Sequence, residues 1–306
     1  MRAVSSWGRL SNALHDVVTL KDPTTARQQL GSNRHSGIAH GMGRSYGDVC
    51  LNPGGKLWLT TALDHFISFD ESTGRLVCEA GVLLRDIQQL MIPHGWMLPI
   101  TPGTQLVTVG GCIANDVHGK NHHLLGSFGN HIQHLTLLRS NGEIIECGPH
   151  SNELWFSASL GGLGLTGVVL KAEIQLRRVS GPWLDTETLT YGSLDEFFQL
   201  ADESESEWEH TVAWVDCLAK AGKGIFMRAN PAAGNGDIKT QKCLASRPSR
   251  KLKIPFVPPI SVVNNLSLKP FNFTYYHLQK RKQGMALAHY ETFFYPLDGI
   301  DKWNRM

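Results

Sequence analysis

The sequence predicts a chain of two domains in which helices and strands are interleaved, and three observations carry that prediction. At 306 residues the chain exceeds the usual span of one domain. Hydrophobic residues make up 42% of it, enough to bury real cores. A glycine-rich first part gives way near Arg178-Val179-Ser180-Gly181-Pro182 to a different pattern, which divides the chain into residues 1–180 and 181–306.

Taken in order, residues 57–59 are apolar and read as a strand. Ser72-Thr73-Gly74 is a turn between strands at 67–69 and 76–80, and 83–91 has helical spacing. Strands at 132–139 and 143–147 flank Asn141-Gly142, a strong hairpin signal, because both residues accept the positive φ of a tight turn. A short helix at 152–160 and an alternating strand at 166–176 complete the first part. Beyond the boundary come a strand at 184–190 and a capping box, Ser193 with Glu196, that opens a helix at 197–201. An acidic stretch (202–209), strands at 212–216 and 225–228, and a basic, proline-bearing segment (239–259) follow. Residues 291–297 read as a strand running into a turn.

Composition narrows the function. Lys+Arg total 29 against Asp+Glu 27, so the basic excess that nucleic-acid binding demands is missing. Six cysteines are scattered without a C-x-x-C pair, the pattern of reduced thiols in a cytoplasmic protein. Residues 1–16 lack the apolar run of an export signal, and no window of about 18 apolar residues suits a transmembrane helix. Peripheral contact with a membrane surface stays open, and the basic residues between Arg247 and Lys253 and at Lys280-Arg281-Lys282 read as solvated surface.

Three segments hold chemistry. In His40-Gly41-Met42-Gly43-Arg44-Ser45-Tyr46-Gly47-Asp48 the glycines permit positive φ and let backbone N–H groups turn toward an anion such as phosphate. The spacing is not that of a Rossmann loop, and turn-rich sequence follows where a nucleotide-binding helix would start, so an NAD site is disfavoured. A tight structural turn is the alternative. Between Pro102 and Lys120 runs a long stretch of small residues that would let a flat ligand approach the backbone, ending in Asp116, His118 and Lys120. Burying such groups without partners is costly, which favours a cleft. The third segment is Glu153-Leu154-Trp155-Phe156 followed by Gly161, Gly162, Gly164 and Gly167. His118, His122, His123, His131 and His134 are dense, but no metal-ligand spacing accompanies them and no metal is expected. Trp214 and Asp216 alternate on a strand, readable as core and surface or as a substrate wall.

In combination these segments resemble the FAD-binding domain of the vanillyl-alcohol-oxidase (PCMH-type) flavoproteins. Gly43-Arg44-Ser45-Tyr46-Gly47-Asp48 together with His118-Gly119-Lys120-Asn121-His122-His123 is similar to the decaprenylphosphoryl-ribose 2′-oxidase branch. The resemblance is strong over residues 37–176 and looser through Trp214 and 293–304. It implies an α+β fold: a two-subdomain FAD-binding domain over 1–180 and a substrate domain over 181–306. It also implies oxidation of a sugar hydroxyl by hydride transfer to the flavin, with a polyprenylphosphate-sugar as substrate and an NAD(P)H-dependent short-chain reductase as partner in an epimerisation. Gly41, Gly43, Arg44, Ser45, Tyr46 and Gly47 would then hold the FAD pyrophosphate, and Gly103, Thr104, Thr108, Gly110, Gly111 and Ala114 would line the cofactor's other side. Many members attach flavin through a His where Arg44 stands here, so the resemblance implies non-covalent FAD. His118 and Lys120 match the substrate-side residues. Members of the branch continue beyond Met306 with a lysine used in catalysis, so the chain is expected to be truncated and its second domain incomplete. The rival readings are a free-sugar or alditol oxidase using oxygen, a catalytically incompetent flavin-binding fragment, and a metal-dependent hydrolase.

Overall fold

The computed structural model describes residues 1–31, 37–233, 252–259, 261 and 263–306. They fall into two compact units, Met1–Gly119 with Leu125–Arg178, and Lys120–Leu124 with Val179–Met306.

The first unit holds two main sheets. Strands β1 (Arg2–Ala3), β2 (Leu14–Thr19), β3 (Gly37–His40) and β4 (Lys56–Leu59) form one, in the order β1-β2-β4-β3, with β2 and β3 both parallel to β4. Helix α1 (Pro23–Gly31) links β2 to the segment before β3. Its start follows from Asp22-Pro23: the Asp22 carboxylate accepts from Thr25 N at 2.8 Å, and proline suits the first helical position. Leu20, Ala26, Leu30, Trp58 and Leu63 close a core on this side.

The second sheet is antiparallel, in the order β5-β6-β10-β8-β9: β5 (Phe66–Asp70), β6 (Arg75–Glu79), β8 (Ile132–Leu138), β9 (Ile144–Cys147) and β10 (Val168–Gln175). Both of its hairpins turn where the sequence predicts. Gly74 has φ +74°, and the Asp70 carboxylate accepts from Ser72 Oγ at 2.6 Å and Thr73 Oγ1 at 2.7 Å, which hold that acid down to about 2. Gly142 has φ +83°. Along β10 burial alternates, with Val168, Leu170, Ala172 and Ile174 inward. Helix α2 (Leu84–Met91) buries Leu84, Ile87, Gln88 and Met91, the i, i+3, i+4, i+7 stripe of an amphipathic helix. Two short strands, β7 (Trp96–Met97) and β11 (Arg177–Arg178), pair beside it. Helix α3 (Val109–Ala114) and the short α5 (Glu153–Ser159) also belong to this unit, and the one-turn α4 (His122–Leu125) lies between them in the chain.

The second unit is an antiparallel sheet of β12 (Trp183–Tyr191), β13 (His210–Val215), β14 (Gly224–Pro231) and β16 (Gly284–His289), in the order β13-β14-β12-β16. Helix α6 (Leu194–Ser204) begins at Ser193, whose hydroxyl accepts from Glu196 N at 3.3 Å. Glu196 reaches back to Gly192 N at 2.6 Å, one residue earlier than the predicted box. Helix α7 (Asn265–Lys280) covers the opposite face: Phe197 of α6 packs near Phe226, whereas Tyr275 of α7 packs on Trp214, whose strand partner is Ile225. Strands β15 (Leu252–Lys253) and β17 (Ile300–Asp301) pair in parallel.

One prediction is corrected. Residues 291–297 do not start as a strand: helix α8 (Tyr290–Phe294) forms there, because Tyr290, Phe293 and Phe294 at i, i+3 and i+4 are all buried on one side. The His289 ring accepts from Glu291 N at 3.4 Å at its start. Most of the basic segment, including Arg247, Arg250 and Lys251, and Cys243 lie outside the described residues. The other five cysteines are free thiols. Among the described residues, no helix is long and apolar enough to cross a membrane.

Candidate cofactor and substrate site

The first glycine loop leaves β3 at His40. Its imidazole is buried, and Nδ1 lies 2.9 Å from the Cys50 carbonyl oxygen; burial lowers its pKa. Gly43 adopts φ +60°, the left-handed conformation that the sequence suggests and that a β-branched residue resists. Gly41 serves differently: a Cβ there would stand 2.5 Å from Thr108 Oγ1, so only glycine lets this loop close on the second segment. Beside Gly47 and Gly103, by contrast, a Cβ would meet nothing within 4 Å, so the backbone is open there. Tyr46 is 71% exposed.

Thr108 joins the two segments. It caps α3, accepting from Gly111 N at 3.1 Å, while its side chain lies against Gly41. The start of α3 is tied to the loop after β6 by Val109 N to Val82 O at 2.9 Å and Gly110 N to Ala80 O at 2.7 Å. Gly110 suits that approach, since a Cβ would stand a tight 3.1 Å from Ala80 Cβ. The third cluster closes on the other end of the same helix: Gly161 N donates to Ile113 O at 3.0 Å and Leu163 N to Ala114 O at 2.8 Å. Three segments separated in sequence therefore meet around one six-residue helix, of which Val109, Cys112 and Ile113 are buried.

A fourth participant carries no motif. Trp7 N donates to Ser45 O at 3.1 Å, Ser6 Oγ donates to Asp48 Oδ1 at 2.8 Å, and the Arg44 guanidinium stacks on the Trp7 ring at 4.4 Å. Gly8 passes so close that a Cβ would overlap Tyr46 O. Sequence reasoning missed this N-terminal brace; Gly8 beside Trp7 was its sole hint.

The segment beyond α3 is not an extended strand. Asp116 takes φ +40° and is consumed in structure, accepting from Ser127 Oγ and Gly129 N, each at 2.8 Å. This gives the partners whose absence would have made its burial costly. His118 is exposed, bridges to Ser127 and belongs to the first unit. Lys120 belongs to the second, where its Nζ donates to Phe294 O at 2.8 Å; burial lowers its pKa to about 8. His123 lies 3.2 Å from Trp208 O, and His131 lies 2.9 Å from Leu125 O. Trp214 and Asp216 are both engaged by α7: Trp214 meets Tyr275 at 4.9 Å, and Asp216 Oδ1 accepts from Asn272 Nδ2 at 2.6 Å. Among the described residues no group of three His, Cys, Asp or Glu is placed to hold a metal ion.

This arrangement fits a flat dinucleotide: open backbone at Gly47 and Gly103, a cation at Arg44, and glycines wherever the segments touch. Comparisons with known proteins agree. A family described as FAD binding domain matches residues 24–148. The chain is 33% identical to decaprenylphosphoryl-beta-D-ribose oxidase of Mycolicibacterium smegmatis over 99% of its own length and 68% of that protein's. It is 32% identical to L-gulonolactone oxidase of Bos taurus over 49% of the chain and 33% of the relative, and 32% identical to cytokinin dehydrogenase 10 of Oryza sativa over 44% and 26%. With glycine segments, geometry and near-full-length similarity in agreement, the chain belongs to the oxidoreductases built on the PCMH-type FAD-binding domain, and FAD is its cofactor.

Proposed function

We propose that this protein oxidises a secondary hydroxyl of a sugar, the 2′-hydroxyl of a polyprenylphosphoryl pentose, as half of an epimerisation. The observation that carries this reading is coverage. Similarity to the mycobacterial ribose oxidase extends over 99% of the chain, whereas similarity to the bovine lactone oxidase stops at 49%. Residues 1–180 act as the FAD-binding domain, with one subdomain around each main sheet, and 181–306 as substrate domain. Gly41, Gly43, Arg44, Ser45, Tyr46 and Gly47 would hold the diphosphate without a covalent link, and Gly103, Thr104, Thr108, Gly110, Gly111 and Ala114 would line the remainder. When bound, FAD supplies a two-electron acceptor for a hydride. The chain's own residues do the rest: His118 orients the hydroxyl and takes its proton, and Lys120 draws in the anionic phosphate. An NAD(P)H-dependent short-chain reductase would return the keto sugar to the opposite configuration.

The test is anaerobic mixing of the yellow holoprotein with polyprenylphosphoryl ribose, followed by flavin absorbance. Bleaching by this substrate and not by L-gulono-1,4-lactone is the expected result; the reverse preference would replace this reading with a free-sugar oxidase. His118→Ala should slow reduction about 10²–10⁴-fold at saturating substrate. Lys120→Ala should mainly raise the substrate concentration required. Wild-type kinetics in both variants would remove the two residues from the site.

A further inference from the structure

Helix α7 lies on the sheet of the second unit with large apolar side chains among its most exposed residues. Its inward side is polar and aromatic: Asn272 bonds Asp216, Tyr275 meets Trp214, and Lys223 Nζ sits 4.7 Å from the centre of the Tyr276 ring. Its exposed residues mix large apolar side chains, Leu266 at 87%, Phe273 at 63%, Phe271 at 58% and Leu278 at 50% exposure, with Lys269, Thr274, His277 and Lys280. Positions 266, 270, 273, 277 and 281 follow helical spacing and form one ridge, occupied by Leu266, Pro270, Phe273, His277 and Arg281. A surface helix in solvent does not ordinarily carry Leu and Phe at its most exposed positions.

Charge singles out what covers the ridge. Residues 252–290 contain no Asp or Glu, although the chain has 27 such residues, and they carry five cations: Lys253, Lys269, Lys280, Arg281 and Lys282. The chain as a whole has a formal net charge of +2, so this stretch is not a sample of a generally basic protein. Lys280, Arg281 and Lys282 end the helix, beside its exposed apolar residues and themselves exposed. Two copies meeting ridge to ridge would bring these cations together with no carboxylate in the stretch to pair them.

We propose that the outer face of α7 is an interfacial helix that seats on an anionic lipid bilayer. Leu266 and Phe273 enter the boundary between headgroups and acyl chains, Phe271 and Leu278 flank them, and the terminal cations bind lipid phosphates. The surface does not depend on the sugar reading. A protein that bound vesicles but was not reduced by polyprenylphosphoryl ribose would keep this face and lose that substrate.

The test is flotation of the holoprotein with vesicles of phosphatidylcholine alone or mixed equally with phosphatidylglycerol. Binding is expected to the mixed vesicles and to weaken at high salt. Phe273→Ser with Leu266→Ser should weaken it at least tenfold. Lys280→Gln, Arg281→Gln and Lys282→Gln together should weaken it on the order of a hundredfold, about fivefold per charge. All changes are at exposed positions, so unchanged thermal unfolding confirms that each variant is folded. Absence of wild-type binding, equal binding to neutral vesicles, or variants that bind as wild type would each overturn the proposal. So would a concentration-dependent dimer in sedimentation velocity that Phe273→Ser abolishes, since the ridge would then belong to a second copy.

Discussion

Gly43 and Gly41 sit two residues apart and are glycine for different reasons, one for a left-handed φ of +60° and the other for contact with Thr108. Gly43→Val should therefore strain the loop by roughly 1–3 kcal/mol and cost the protein its bound FAD, read as flavin absorbance after gel filtration. Retention at wild-type stoichiometry would reduce Gly43 to an ordinary turn residue. Arg44 leads to a second expectation: because it stacks on Trp7 where relatives of the resembling family carry a linking His, acid denaturation should release FAD into the supernatant. Colour remaining with the precipitate would refute it. Lys120 gives a pH dependence. Its folded pKa, about 8, lies below the unfolded value, so the unfolded chain binds more protons between pH 8 and the ordinary lysine range. Stability should rise with pH across that window, and Lys120→Met should remove the rise in denaturant midpoints. At this scale the glycine positions were legible because φ and close approach leave a mark on residue type. The brace from Ser6 and Trp7 was not, since ordinary residues make it through backbone and ring contacts.

Among elements, the hairpins were the most legible, for their turns need particular residues: Gly74 and Gly142 both have positive φ. Helix α8 was misread because a short apolar run serves a strand or a helix equally well until its burial is known. Helix α7 was not read at all; Pro270 interrupts it in sequence, and its apolar residues are distributed around the helix and so define no core-facing stripe. Helix α3 is too short to stand on its own hydrogen bonds and depends on its cap. Thr108→Ala should cost about 1 kcal/mol of stability, visible in thermal unfolding, and loosen the first loop against α3. If Thr108→Ala unfolds like wild type and binds FAD equally well, the capping hydroxyl is dispensable.

At the scale of the molecule, the sequence boundary at 178–182 lies close to Arg178, where the second segment of the first unit ends. What composition could not reveal is that the chain also leaves the first unit at Gly119 and returns at Leu125. Those five residues carry no change of pattern. They are assigned by what they bond: Thr211 N donates to Lys120 O at 2.9 Å, Lys120 Nζ donates to Phe294 O, and Asn121 Nδ2 donates to Glu209 Oε1 at 3.2 Å. The second unit is thus not encoded by one continuous stretch of gene. Expressed alone, residues 179–306 should be soluble only poorly and unfold without a cooperative transition, whereas a version with 120–124 joined to its start through a flexible linker should recover one. The same layout restricts how such proteins can diversify. A recombination that imported a foreign second unit after Arg178 would bring new partners for a pentapeptide left behind in the old sequence, so second units in this layout cannot be traded as cassettes and must change by substitution, with 120–124 changing alongside them.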